Sequence, residues 1–292
     1  MPALNAQRKG ETFALGLTLI EAWFPIFAYF SANALGGLHA YFYSLIVAII
    51  ALIIIWLAKR RQHELFNRRA YLPLAMTSLF ITTLFSLIFI GLQYTSANNV
   101  AILLFLQVLF SYLYFHKKEG EQLSAIQGLG AVLMTIGALL VLFPQEFQLR
   151  IGDGLIVLAA MLAPIANVWQ KKARTEVSSE TILLVRSLMA LPFLYILAQW
   201  LEPDITTDAL QQQAHWIILT GVLVFVIAKL LWIEAIYLLP ITKVSAIFAF
   251  APLMTIALSY WLLDDTSTWQ QILGALPILL GSYFITRKPN AA

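Results

Sequence analysis

Apolar runs of roughly 18 residues or more recur from one end of this 292-residue chain to the other, separated by short polar connections. Each run is long enough for a helix to cross a hydrocarbon core about 30 Å thick, where only structures that pair their own backbone N–H and C=O groups are tolerated. The chain is therefore read as an all-α integral membrane protein. Its composition agrees: 61% of residues are hydrophobic and 11% charged, whereas soluble domains run near one half and about one quarter. No stretch remains for a soluble domain. The N-terminal segment MPALNAQRKGE is polar and basic, and the apolar run after it is too long for a signal peptide and lacks a small-residue cleavage site, so it is expected to remain as the first span. The chain contains no cysteine, which removes disulfides, thiolate metal sites and thiol nucleophiles together.

Ten spans are predicted, at approximately 13–34, 38–58, 71–92, 97–115, 123–143, 153–171, 180–201, 215–238, 242–262 and 269–286. Lysine and arginine are retained in cytoplasmic loops. Arg8, Lys9, Lys59, Arg60, Arg61, Arg68, Arg69, Lys117, Lys118, Lys171, Lys172, Arg174, Lys243, Arg287 and Lys288 all fall on one side of that arrangement. The other side carries only Arg150, against Glu146, Asp153, Glu202, Asp204, Asp208, Asp264 and Asp265. Both termini are thus expected to be cytoplasmic. The basic pI near 9.0 comes from these short clusters, so membrane orientation accounts for it and nucleic acid is not an expected partner.

Sliding the chain against itself by 144 residues matches Val100 to Val244, Glu121 to Asp265, Gly130 to Gly274 and Gly137 to Gly281 across a loop and two helices. Chance similarity between apolar helices is the competing account, but the spacing is constant throughout. A duplicated unit of five spans is odd in number, so the second copy must sit upside down. The predicted architecture is two inverted five-helix repeats, residues 1–147 and 148–292.

These residues carry a resemblance. The segment from Pro240 through Pro252, Asp265, Gly274 and Gly281 resembles the end of the EamA repeat of the drug/metabolite transporter superfamily, and GEQL at 120–123 resembles that family's glycine-glutamate turn. AWFP at 22–25 is similar to the tryptophan-bearing motif of the first span, MLAPIANVWQKKA at 161–173 takes its place in the sixth, and VRSLMA at 185–190 is similar to the arginine-bearing start of a repeat's second helix. The chain departs from the pattern at Tyr43, where arginine is common, at Val108, where proline is common, and at Phe24, where a small residue usually follows tryptophan. The resemblance implies a ten-helix carrier with a central cavity lined mainly by spans 1, 3, 4, 6, 8 and 9, with spans 5 and 10 peripheral.

Four ionisable residues fall within spans: Glu21, Arg186, Lys229 and Glu234. A central Lys, Arg or Asp costs about 2.5–3.5 kcal/mol, so four unpaired charges would cost on the order of 10 kcal/mol, and pairing or water must offset that. Arg186, near the cytoplasmic third, reads either as a structural or snorkelling residue or as a functional one. Lys229 and Glu234 are five residues apart, about 140° around a helix, so they should face different neighbours, with Tyr237 on the Glu234 face. Two acids and two bases suit a zwitterion better than a bare anion, and Glu21 or Glu234 could carry a coupling proton. Asn99 and Gln107 add polarity to span 4, although asparagine is frequently a cap or an interhelical bond. Trp23, Phe24, Tyr94 and Trp169 could stack on substrate, whereas Trp56, Trp200, Trp216, Trp261 and Trp269 sit near span ends as an interfacial belt. The expected substrate-binding set is Glu21, Trp23, Tyr94, Asn99, Gln107, Trp169, Lys229, Glu234 and Tyr237.

Prolines 25, 164, 192 and 252 interrupt spans and are candidate hinges, or are merely tolerated. Gly130, Gly137, Gly274, Gly281 and Ser282 allow close helix approach, within one chain or across a homodimer. No metal site or cofactor is expected. His39, His63, His116 and His215 have no metal-ligand spacing, and no GxSxG or nucleotide-binding glycine loop is present, which argues against an enzyme or a pump. A channel is separated from a carrier by saturable counterflow. The expected function is secondary or facilitated transport of small amphoteric metabolites by alternating access, most simply amino acid export or exchange across a bacterial inner membrane. The alternative is a larger nucleoside-containing or phosphorylated compound, which two or more cavity cations in excess of acids would favour.

Overall fold

The computed structural model describes residues 2–115, 125–142, 150–239, 244, 247–248, 250–263 and 268–286. Seven helices there are long and apolar enough to cross a membrane: Ala6–Leu35, Gly37–Ala58, Arg68–Gly91, Ala97–Tyr114, Ile151–Glu176, Ser179–Leu201 and Thr207–Leu238. Three shorter apolar helices, Ile126–Val141, Ala251–Leu262 and Gln271–Phe284, take the places of spans 5, 9 and 10. The protein is an all-α membrane protein of two five-helix repeats. Glu121, Lys117, Lys118, Glu146, Lys243, Asp264, Asp265, Arg287 and Lys288, on which parts of the orientation and repeat readings rest, lie outside the described residues.

The spans that matter most are irregular. The first is divided at Ala22–Trp23 into Pro2–Glu21 and Phe24–Leu35. Pro25 has no N–H, so the Glu21 carbonyl loses its donor one turn on. Ile26 N–H then reaches back to the Trp23 carbonyl at 3.1 Å, and the Ala22 carbonyl is taken by the Thr255 hydroxyl of the ninth span at 2.8 Å. In the fourth span, helices Ala97–Leu104 and Gln107–Phe115 are joined by tightened turns, with Leu106 N–H bonded to Leu103 O at 3.0 Å and Val108 N–H to Phe105 O at 3.1 Å. The ninth restarts at Ala251 with Pro252 in its first turn, the position that the 144-residue offset matches to Val108. One copy thus breaks its helix with proline, and the other breaks it without one. The eighth span runs through a π-helical segment, Thr220–Ala228, that ends immediately before Lys229; such segments rotate the helix beyond them and gather at functional sites. Pro164 and Pro192 lie inside continuous helices, so position alone did not separate the breaking prolines from the tolerated ones.

Spans 2 and 7, the second helices of the two repeats, are capped across the repeat boundary at both ends of the bundle. Glu202, just after span 7, accepts from the Leu38 and His39 N–H groups at the start of span 2, at 2.8 and 2.9 Å. The carboxylate also fills the space a side chain at Gly36 would need: a Cβ there would lie 2.5 Å from Glu202 Oε2, and the φ of +90° favours glycine as well. Glu64, just after span 2, accepts from Ser178 N–H at 2.9 Å, Ser178 Oγ at 2.7 Å and Thr181 Oγ1 at 2.5 Å at the start of span 7. Carboxylates are favoured at helix N-termini because the first N–H groups are otherwise unpaired. Burial alone would raise the Glu64 carboxyl, but these bonds and nearby Arg61 hold it below the usual carboxylate range. Its contribution to stability is therefore present above about pH 4.3 and is lost as pH falls through the lower folded value. Glu64→Gln is expected to lower stability by about 1–2 kcal/mol at pH 7. Thermal unfolding in detergent should show that deficit shrinking as the pH approaches 4; a deficit unchanged by pH would remove the charge from this account.

Spans 5 and 10 pack on each other. A Cβ on Gly274 would stand 2.7 Å from the Gly137 carbonyl oxygen, and one on Gly281 would meet the Gly130 carbonyl. Under the repeat offset each glycine touches the counterpart of the other, as an internal two-fold axis requires. These faces are used within one chain. Trp200, Trp261 and Trp269 are 83, 82 and 76% exposed, as a belt predicts. Trp56 and Trp216 depart from it: Trp56 is buried and donates to Thr181 Oγ1 at 2.9 Å, and Trp216 stacks on Phe30 at 4.5 Å.

Candidate functional site

The breaks in spans 1, 4 and 9 and the end of the π-helical segment meet at one cavity. Glu21, Phe24 and Pro25 enter it from the first break, Leu104 and Gln107 from the second, Phe248, Ala251 and Pro252 from the third, and Lys229 and Trp232 from below the π-helix. Span 3 supplies Ile81, Leu84, Phe85 and Ile88, span 6 supplies Ala163, Asn167 and Gln170, and span 7 supplies Arg186. Among the described residues, spans 5 and 10 take no part. About 100 Å³ of the cavity is open to the centres of water-sized molecules, room for several waters or a small solute.

Its charge is asymmetric. Lys229 and Glu21 form an ion pair across the two repeats, with the lysine ammonium also 5.0 Å above the Phe85 ring. Arg186 is buried, and among the described residues its one side-chain bond is to the uncharged Gln170 Oε1, at 2.8 Å. Among the described residues no carboxylate lies within ion-pair distance of it. The cavity wall therefore holds two cations and one acid. Gln107, at the fourth-span break, also faces the cavity.

Of the nine residues expected from sequence to bind substrate, Glu21, Gln107 and Lys229 line this cavity and six lie elsewhere. Glu234 faces away: its carboxylate is held by Arg174 at 2.9 Å and Ser179 Oγ at 2.5 Å, and Arg174 lies over the Tyr237 ring at 4.4 Å. The five-residue separation that sends Lys229 inward sends Glu234 and Tyr237 towards spans 6 and 7. Asn99 is an interhelical tie, donating to Asp153 Oδ1 at 3.0 Å and accepting from Gln271 at 2.8 Å. Asp153, which reads as an outer-loop acid, is instead buried in the first turn of span 6 with Thr95 and Asn99 as donors. Tyr94 is 58% exposed at the end of span 3. Trp23 stacks on Phe27 at 5.6 Å, and Trp169 carries the Lys172 ammonium at 4.4 Å over its ring. Sequence reasoning left Asn167, Gln170 and Trp232 out of the expected binding set, although it places Trp232 on the Lys229 face. The signal was present, since Ala163, Asn167 and Gln170 recur at helical spacing on one face of span 6.

A model of the EamA-like transporter family matches residues 8–143 and again residues 150–287. A solved structure described only as "Crystal structure of protein" superposes with a TM-score of 0.71 at 15% identity, covering 95% of this chain and 96% of that one, a likeness of fold. No curated protein matches the sequence.

Proposed function

Because the chain belongs to the EamA-like transporter family of the drug/metabolite transporter superfamily, we propose that its central cavity carries a small amphoteric metabolite, most simply an amino acid, exported or exchanged across a bacterial inner membrane. Both termini are cytoplasmic in this reading, and transport proceeds by alternating access of the two repeats about the cavity. The observation that carries it is Arg186. A buried guanidinium without a carboxylate is costly in a membrane interior, and a substrate carboxylate supplies the missing charge with fork-to-fork geometry. Glu21, which lines the same cavity, can meet a substrate ammonium at the expense of its bond to Lys229.

A phosphorylated substrate is the second reading, favoured by the excess of cavity cations over acids. It fits less well, because Lys229 is already committed to Glu21 and only one positive charge is left over. With Glu234 outside, Glu21 is the cavity carboxylate through which a proton gradient can act. Counterflow in proteoliposomes separates these readings, using labelled amino acids and nucleoside metabolites with and without a pH gradient. Accelerated exchange of amino acids, lost in Arg186→Gln, is the expected result. Exchange confined to phosphorylated compounds supports the second reading, and exchange that survives Arg186→Gln removes Arg186 from the site.

A further inference from the structure

We infer that the cavity wall built from spans 6, 7 and 8 is an oxyanion subsite in which Asn167, oriented from both sides, presents its amide N–H group beside Arg186 and selects a substrate carboxylate over the matching carboxamide. The inference rests on the cavity being the substrate site.

Its basis is a chain of three hydrogen bonds whose ends cannot be reversed. Arg186 Nη1 donates to Gln170 Oε1 at 2.8 Å, Gln170 Nε2 donates to Asn167 Oδ1 at 3.2 Å, and Trp232 Nε1 donates to the same Asn167 oxygen at 3.0 Å. Amide oxygen and nitrogen are assigned from their partners. Here both terminal partners are donors only, since neither a guanidinium nor an indole N–H accepts. Arg186 fixes which end of Gln170 is oxygen and so turns the Gln170 nitrogen towards Asn167. Trp232 independently requires oxygen at the same point. The two assignments agree, and the Asn167 NH2 group has no protein acceptor among the described residues.

Asn167 is 6% exposed and lines the cavity. Both side-chain carbonyl oxygens of this wall already accept from its own donors, Asn167 Oδ1 from two and Gln170 Oε1 from one. What the wall has left to offer is mainly donors: the rest of the Arg186 guanidinium and the Asn167 amide hydrogens. A carboxylate accepts with both oxygens. A carboxamide turns an N–H towards a donor and leaves two buried groups unpaired, the kind of mismatch for which a hydrogen-bonding site discriminates strongly. Trp232 and Gln170 are positioning residues here, acting through Asn167 and Arg186.

The test measures affinities of purified protein in detergent for alanine, leucine and phenylalanine and for their carboxamides. Wild type is expected to favour the acids by about 100-fold or more. Trp232→Phe removes one of the two donors that hold the Asn167 oxygen, leaving Gln170 alone to orient the amide, and should lower that ratio. Asn167→Asp replaces a donor with an acceptor of the same shape, and Gln170→Glu gives Arg186 an internal counter-ion; both should bring the ratio near one or invert it in favour of the carboxamide. An inverted preference cannot arise from misfolding. Variants with wild-type melting temperatures that keep the wild-type ratio would overturn the inference while leaving the carrier reading intact. Wild type that binds neither acids nor amides would overturn both the inference and the amino acid reading.

Discussion

Lys229→Met is expected to abolish transport and to lower stability by about 3–5 kcal/mol, because it strands the Glu21 carboxylate inside the bundle without its counter-charge. The pair joins residues 208 positions apart, one in each repeat, with side chains 13 and 7% exposed. Glu21→Gln should cost less on its own, since the longer lysine stem can carry its ammonium towards the aqueous part of the cavity. The double variant Glu21→Gln/Lys229→Met removes both charges and should recover most of the stability, giving a coupling energy that a thermal-unfolding mutant cycle in detergent can read. Transport should not return with it. A folded double variant that still exchanges substrate would make the pair a register device only, and a Lys229→Met variant as stable as the double would mean that Glu21 finds another partner.

That pair also marks what the sequence discloses and what it leaves hidden. Helical periodicity shows that Lys229 and Glu234 point in different directions, and the structure agrees. Periodicity does not say which direction leads to the cavity, because that depends on how neighbouring helices close around it. Arg174, which holds Glu234, is 60 residues away in the chain and reads from sequence only as part of a cytoplasmic basic cluster. Asn99 and Asp153 are separated in the same way; nothing local to either predicts that one would satisfy the other. The spans, the two repeats and the glycine faces were legible because each follows from a period or an offset within the chain. The break in the fourth span was not, since Val108 stands where its counterpart has Pro252 and no backbone signal announces it.

The charge balance changes accordingly. Counted along the chain, the in-span residues are two acids and two bases, which points to a neutral amphoteric substrate. Counted around the cavity, Glu234 is spent on Arg174 and Arg186 is left with an uncharged partner. The proposal of a carboxylate-bearing substrate then rests on Arg186 and no longer on a balance of signs.

The repeats themselves are held by a contact that tolerates no side chain, and Gly274→Ala is expected to destabilise the protein by about 1–3 kcal/mol or more, with Gly274→Leu leaving little folded material. The added Cβ would lie 2.5 Å from Val141 Cγ2 and 2.7 Å from the Gly137 carbonyl oxygen. The valine methyl can rotate away, but the carbonyl belongs to the backbone of the opposing helix, so spans 5 and 10 must part. Gly128 supplies the internal comparison: it lies on the same span as Gly137, and a Cβ there meets nothing within 4 Å. Gly128→Ala should therefore be neutral or stabilising by up to about 1 kcal/mol through helix propensity. Melting temperatures of the two variants in detergent, taken at several protein concentrations, check both the magnitude and the location of the contact. Because the crossing joins two repeats of one chain, the Gly274→Ala deficit should not vary with concentration. A deficit that grows on dilution would place these glycines at an interface between two copies instead.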